Sequence, residues 1–439
     1  MTAEIAILNR SAVALAADSA VTVETYTATK TYHTVNKLFT LSKYHPVGVM
    51  IYNNADFMDI PWETIIKLFR KKIKDEEYST IKEYSNRLIR FIENELPSPD
   101  KRQIDRVYGI WSSHFEILDI KITHALRGKR QQKGQALSQA EVRDITKATI
   151  KKERDRLSKR KYLEEFKEVN PEQIVQKYEK PFKAALEDHF RQRKITNKTL
   201  DYLREIAGYI IVKNDFSPVM SGVVVAGFGK DEYFPSLQHF ETDGIVDGKL
   251  VIQERGYEDI SREPNERATI IPFAQGEMVA RFMDGIDPEY LALLERSVVG
   301  LMTRFSDFLM DKHATGSAQS KAAKKRGARQ AAELMVGDLL QKHEAYRQRE
   351  YVQPVMHAVQ ILPREEMAEM AEALVSLTSL KRRISLDADT VGGPIDVAVI
   401  SKGDGFIWIK RKHYFDPELN PHFLRKYFHE GPERENDDG

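Results

Sequence analysis

The sequence predicts an α+β fold, an αββα four-layer sandwich in which two antiparallel sheets stack face to face with helices outside, interrupted by large helical insertions. Three observations predict it. Alternating apolar residues bounded by turn residues occur near the start, in the middle and near the end of the 439-residue chain. Between them run long, highly charged stretches with helical spacing. A composition of 41% hydrophobic and 30% charged residues suits a chain that buries a substantial core beneath a wet surface.

In order along the chain, Ile5/Ile7 and Val13/Leu15 mark two strands, and Asn9-Arg10-Ser11 marks the turn between them. Centring that hairpin on Arg10 places Thr2 across from Asp18, with Cβ atoms about 5 Å apart. HTVNKLFTLS (33 to 42) and PVGVMIYNNAD (46 to 56) read as two more strands, and IPWETIIKLFRKKIK (60 to 74) as a helix. From about 75 to 200 the text is helical and charged, broken at Pro97, Pro99 and Pro171. Strand patterns return over 221 to 254 with turns at Gly229-Lys230-Asp231 and Asp247-Gly248, and ATIIPFAQG (268 to 276) adds another. Helical text follows from about 275 to 345, in which GSAQSKAAKKRGARQAA reads as a flexible link entering a helix. REEMAEMAEALVSLTSLKRR (364 to 383) is an amphipathic helix, and residues 393 to 412 a hairpin turning at Gly403-Asp404-Gly405. The units expected are therefore 1–74, the first part of the core; 75–200, a helical insertion; 201–285, further core strands; 286–352, a second helical insertion; 353–411, a core helix and the terminal hairpin; and 412–439, a tail.

Composition removes several function classes. The chain has no cysteine, which excludes disulfides, thiolate zinc sites and cysteine nucleophiles, and fits a reducing cytosol. There is no P-loop, no His-Glu-x-x-His metal motif and no Gly-x-Ser-x-Gly elbow, and neither a metal nor a cofactor is expected. Glu4, Arg10 and Asp18 interrupt the apolar start, so it is no signal peptide, and no run suits a bilayer. The expected location is the cytoplasm. A net charge of +1 argues neither for nucleic acid nor for an anionic membrane.

The candidate chemistry sits in the first forty residues. Methionine before a small residue is removed after synthesis, which would leave Thr2 with a free α-amine of pKa about 7.7 to 8.0, able to take the proton of its own hydroxyl. Met-Thr also begins many proteins without chemical meaning, so other residues must carry the case. Lys37 lies in phase with Val35, Phe39 and Leu41, which points its ammonium from an apolar strand face and calls for a partner. Beside Asp18 it would stay charged and lower the pKa of neighbouring groups.

Together Thr2, Ala16-Ala17-Asp18-Ser19 and Asn36-Lys37-Leu38 resemble the proteasome β-subunit superfamily of N-terminal-nucleophile hydrolases, which includes the bacterial ring proteases. Gly48 through Asp56 resembles that family's fourth strand and the turn into its first long helix. GVVVAGFGKDEYFPSLQHFETDG resembles its paired middle strands, and GGPIDVAVISKGDG its terminal hairpin. The resemblance covers about half the chain, and without both insertions about 250 residues remain, the size of one such subunit. It implies Thr2 as nucleophile, Asp18 and Lys37 as its electrostatic partners, and a second acid from Asp387-Ala-Asp-Thr390, with Asp389 a rival for Asp387. Where the family has Gly-Gly at its oxyanion turn this chain has Tyr52-Asn53-Asn54, so Asn53 and Asn54 are the oxyanion candidates; where the family has Ser-Gly this chain has Gln275-Gly276.

The leading expectation is thus a threonine-type peptidase or amidohydrolase that acts on a peptide or protein substrate. As the family implies, it would form a homo-oligomer, with an ATP-dependent unfoldase as a further candidate partner. The alternative is an inactive proteasome-like scaffold or regulatory protein, since function does not follow from fold. Nucleic-acid binding by the basic stretch 121 to 161 ranks last, because few aromatics interleave with its charge and a solvated helix face accounts for it.

Overall fold

A computed structural model describes residues 3–24, 29–260, 267–384, 392–413, 415–416 and 418–422. Strands β1 (Ala3–Asn9) and β2 (Val13–Ala17) form the expected hairpin. Its turn is the two residues Arg10 and Ser11, because the Asn9 carboxamide oxygen accepts from the Ser11 amide at 2.9 Å, the Ser11 hydroxyl at 2.7 Å and the Ala12 amide at 3.2 Å. That closure corrects the expected register by one residue: Glu4 pairs with Ala17, and Asp18 lies beside Ala3, whose carbonyl accepts its amide at 3.1 Å.

An unforeseen pair, β3 (Val21–Glu24) and β4 (Thr29–Tyr32), comes next. Strand β5 is only Leu38–Thr40, so Lys37 precedes the strand instead of lying within it. The preceding backbone is spent on other loops, with the Val35 amide donated to Ser19 at 3.2 Å. Then follow β6 (Val47–Asn53), the short pair β7 (Asp56–Phe57) and β8 (Ile60–Pro61), and helices α1 (Trp62–Ile73) and α2 (Ile81–Glu95). Helices α3 (Asp100–Lys133), α4 (Gln139–Ser158), α5 (Pro171–Lys177), α6 (Glu179–Phe190) and α7 (Asn197–Val212) share a hydrophobic core of their own around Trp111, Phe115, Phe182 and Ile206. The Trp111 indole N–H pins α3 to α7 by donating to the Ala207 carbonyl at 2.8 Å.

Strands β9 (Ser221–Gly227), β10 (Ser236–Val246), β11 (Lys249–Asp259) and β12 (Ala268–Ala274) resume the sheets. Helices α8 (Glu277–Asp284), α9 (Pro288–His313) and α10 (Ala318–Arg347) follow. The stretch expected as a flexible link is largely α10, which Ser317 caps by accepting the Ser320 amide; its alanines and lysines are good helix formers. A π turn, Gln348–Val352, leads into α11 (Gln353–Ile361), then α12 (Arg364–Ile384) and the hairpin of β13 (Asp396–Ser401) and β14 (Gly405–Lys410). Gly405 has φ 76 at the end of that turn, a value that suits glycine.

The fold is α+β with antiparallel sheets. One has the order β12-β1-β2-β13-β14 and the other β11-β10-β9-β6-β5, with every neighbouring pair antiparallel. Alternation along the strands sorts their side chains. Ala6, Leu8, Val13 and Leu15 of the first sheet pack with Leu38, Met50, Val224 and Ala226 of the second. Ile5, Ile7, Ala14 and Ala16 face Met367, Ala371 and Val375 of α12. Val49, Ile51 and Val223 face Trp62 and Phe69 of α1 and Leu88 of α2. No helix among the described residues is long and apolar enough to cross a membrane.

Candidate active site

The end of β2 delivers Asp18 into a fully buried position, and the loop before β5 brings Lys37 to it. The Lys37 Nζ donates to Asp18 Oδ1 at 2.6 Å, and the Ala3 amide donates to the same oxygen at 3.2 Å. The Gly392 amide donates to Oδ2 at 2.9 Å. One carboxylate therefore binds the start of β1, the loop before β5 and the loop before β13. Ser19 reinforces the junction by donating its amide to the Gly392 carbonyl at 3.1 Å and its hydroxyl to the Pro394 carbonyl. The Lys37 carbonyl accepts from the Ile51 amide at 2.9 Å, which anchors the lysine to β6 from its other side.

Burial draws the Lys37 pKa down, while the charges of Asp18 and Glu4 act to raise it. Glu4 is a residue that sequence reasoning missed. It is fully buried on β1, opposite Ala17 and Phe273, and neither carboxyl oxygen has a hydrogen-bond partner among the described residues. Burial pushes its pKa well above the ordinary carboxylate value; Lys37 lowers it and Asp18 raises it. A second unforeseen ion pair lies near: Asp396 at the start of β13 accepts the Lys412 amide at 2.8 Å and pairs with the Lys412 ammonium. A lone acid in an otherwise apolar strand, and an ion pair between the start of β13 and the segment after β14, carry no local spacing that marks them in a sequence.

Further along the layer between the sheets, the Tyr52 hydroxyl lies 2.6 Å from His239 Nε2 and donates to Glu241 at 3.0 Å. With the phenolic proton on Glu241, the imidazole must give its own Nε2–H to the phenol oxygen. Burial, with Arg255 adding to it, holds the His239 pKa down at about 4. Gly222 makes room for this network: a Cβ there would stand 1.9 Å from the Tyr52 ring.

The other expected residues divide. Asn53 ends β6 with a left-handed backbone, φ 65. The Asn54 amide is donated to the Met220 carbonyl at 3.3 Å and its side chain to the Val219 carbonyl at 3.3 Å, so in this conformation its donors are engaged. Gln275 is buried beside the end of β12, accepts from Arg382 at 2.8 Å, and has no acceptor for its Nε2 among the described residues. Thr2, Asp387, Asp389 and Thr390 lie outside the described residues. A cleft of about 140 Å³ is lined by Asn36 and Leu38, which flank Lys37, together with Glu63, Asp396 and Trp408. A larger one of about 610 Å³ lies in the helical body between Asp119 and Arg193, remote in sequence from these groups and rich in charges that pair with one another.

No protein-family model matches the chain, and no curated protein matches it.

Proposed function

We propose that the chain is a threonine hydrolase of amide bonds, its stacked sheets and outer helices an αββα sandwich of the proteasome-like N-terminal-nucleophile kind. The observation that carries this reading is the Asp18 carboxylate, which is fully buried and holds the Ala3 amide, the Lys37 ammonium and the Gly392 amide together. Such a group orients the backbone one residue after Thr2 and fixes a cation beside it. With Met1 removed, the Thr2 amine takes the proton of its hydroxyl, Oγ attacks the substrate carbonyl, and the amine returns that proton to the leaving nitrogen. Water, activated by the same amine, then hydrolyses the ester. Lys37 favours the alkoxide electrostatically, and the oxyanion is assigned to the turn after β6 around Asn53.

The test is intact-mass and peptide-mapping spectrometry after treatment with a peptide epoxyketone, a probe that needs both a hydroxyl and a free α-amine on one residue. The expected result is loss of Met1 and one adduct on Thr2, absent from Thr2→Ala. Retained Met1 with no adduct, or peptide hydrolysis that survives in Thr2→Ala, overturns the proposal.

A further inference from the structure

Helices α9 and α10 pack against each other as a long hairpin that buries almost nothing: Ser306 in α9, and Ala332 and Val336 in α10. The hairpin is closed on one side by Asp307 with Arg329 at 2.6 Å and Asp311 with Lys325 at 2.9 Å. On another face of α9 runs a seam of Leu291, Leu294, Val298, Leu301, Phe305 and Phe308, spaced alternately three and four residues apart. This is the spacing with which one helix packs knobs into the holes of a second. Among the described residues no second helix covers it: Leu291 and Val298 are half-buried, and Leu294 is 43%, Leu301 61%, Phe305 52% and Phe308 59% exposed.

We propose that this seam is a self-association surface, on which α9 of a second copy of the chain packs antiparallel. Three features select that occupant. With Tyr290, Met302 and Leu309 at its edges, the seam offers on the order of 700 Å² of apolar surface, close to what each partner of a stable complex buries and more than a monomer commonly leaves bare. In antiparallel register Leu291 meets Phe308, Leu294 meets Phe305 and Val298 meets Leu301, so each layer combines unlike sizes; parallel register would crowd both phenylalanine layers at one end. The charges agree. The closed tip of the hairpin carries Lys312, Lys321, Lys324, Lys325 and Arg326 against the acid Asp311, which pairs with Lys325, whereas the entry to α9 carries Asp284, Asp287 and Glu289 against the base Arg281, which pairs with Asp287, so a basic excess remains at the tip and an acidic one at the entry. Antiparallel pairing sets the basic tip of one copy beside the acidic entry of the other and keeps the two tips apart.

The experiment uses the full chain. Sedimentation velocity at tens of micromolar should give at least a dimer, and Leu301→Glu with Phe305→Glu should halve the mass by weakening association more than about 100-fold, since two carboxylates from each copy would be buried without partners. Circular dichroism checks the fold, which should hold because the seam is exposed within one copy. The absence of native cysteine makes crosslinking clean: an oxidised mixture of Leu291→Cys and Phe308→Cys chains should crosslink, while neither variant does so alone, because like positions stand about 25 Å apart in the antiparallel arrangement. A monomeric wild type, an unchanged mass in the double glutamate variant, or efficient crosslinking of Leu291→Cys to itself overturns the proposal.

Discussion

Replacing Lys37 with methionine removes the ammonium while keeping most of the side-chain length, and so tests whether Asp18 is held as a buried ion. Asp18 has no exposed surface, Lys37 is 3% exposed, and their polar atoms are 2.6 Å apart. Once the lysine is gone, the carboxylate keeps, among the described residues, the Ala3 and Gly392 amides, and an ion left in such a place costs about 3–5 kcal/mol. An exposed pair would cost about 1 kcal/mol or less and fade with salt. The assay is urea unfolding followed by circular dichroism, at low salt and at high salt. The deficit should persist in salt, since mobile ions do not reach a carboxylate with no exposed surface. Adding Asp18→Asn should recover part of the loss, which gives a favourable coupling in the double-mutant cycle. A loss below about 1 kcal/mol, or one abolished by salt, would refute the buried-ion reasoning.

Other outcomes follow from neighbouring groups. Thr2→Ala should abolish peptide hydrolysis and leave the urea midpoint in place, as measured on protein whose wild type has been checked for Met1 removal. Glu4→Gln should raise stability at neutral pH: the folded carboxyl keeps its proton to higher pH than the unfolded one, so the wild type loses stability as pH rises above the ordinary carboxylate range and the variant does not. An equal pH slope in both proteins contradicts this. His239 is held neutral down to about 4, against an ordinary value of 6.5, so acidification from neutrality to pH 4 should cost up to about 3 kcal/mol that His239→Gln does not lose. Gly222→Ala should destabilise by displacing Tyr52, read as altered near-ultraviolet dichroism and a lower midpoint.

What was legible in the sequence was whatever repeats locally. Period-two apolar residues with turn residues at their ends revealed the β1–β2 hairpin, β6, the run β9 to β12 and the β13–β14 hairpin, and helical spacing revealed α1 and α12. The hairpin register slipped because Asn9 reads as a turn residue by type, yet remains in β1 and uses its side chain to close the turn. Lys37 stands out as a cation in phase with Val35, Phe39 and Leu41, but β5 is shorter than that alternation suggests, since hydrogen bonds from distant loops and not local alternation decide where it begins. Alanines and lysines between Ser317 and Ala332 look like linker composition and are equally good helix formers. Glu4 gave no signal, because one acid in an apolar strand normally marks a residue that faces solvent.

Glu4 also explains how this end of the structure avoids stranded charge. Gathered near the end of β2 are three buried carboxyls, Glu4, Asp18 and Asp396, and two ammonium groups, the buried Lys37 and the half-buried Lys412. If all five were ionised, one negative charge would be left in a dry layer, where an unpaired ion is far costlier than a proton held on a carboxyl. Asp18 and Asp396 each hold a lysine and accept backbone amides, whereas Glu4 has neither among the described residues and burial raises its pKa, so Glu4 is the group that keeps its proton. Its neutrality leaves Lys37 committed to Asp18 rather than shared between two acids. Any change that ionised Glu4 would draw Lys37 towards β1 and loosen the Asp18 junction, and the hydrolytic reading would then fail through misplacement of the lysine rather than through loss of the nucleophile.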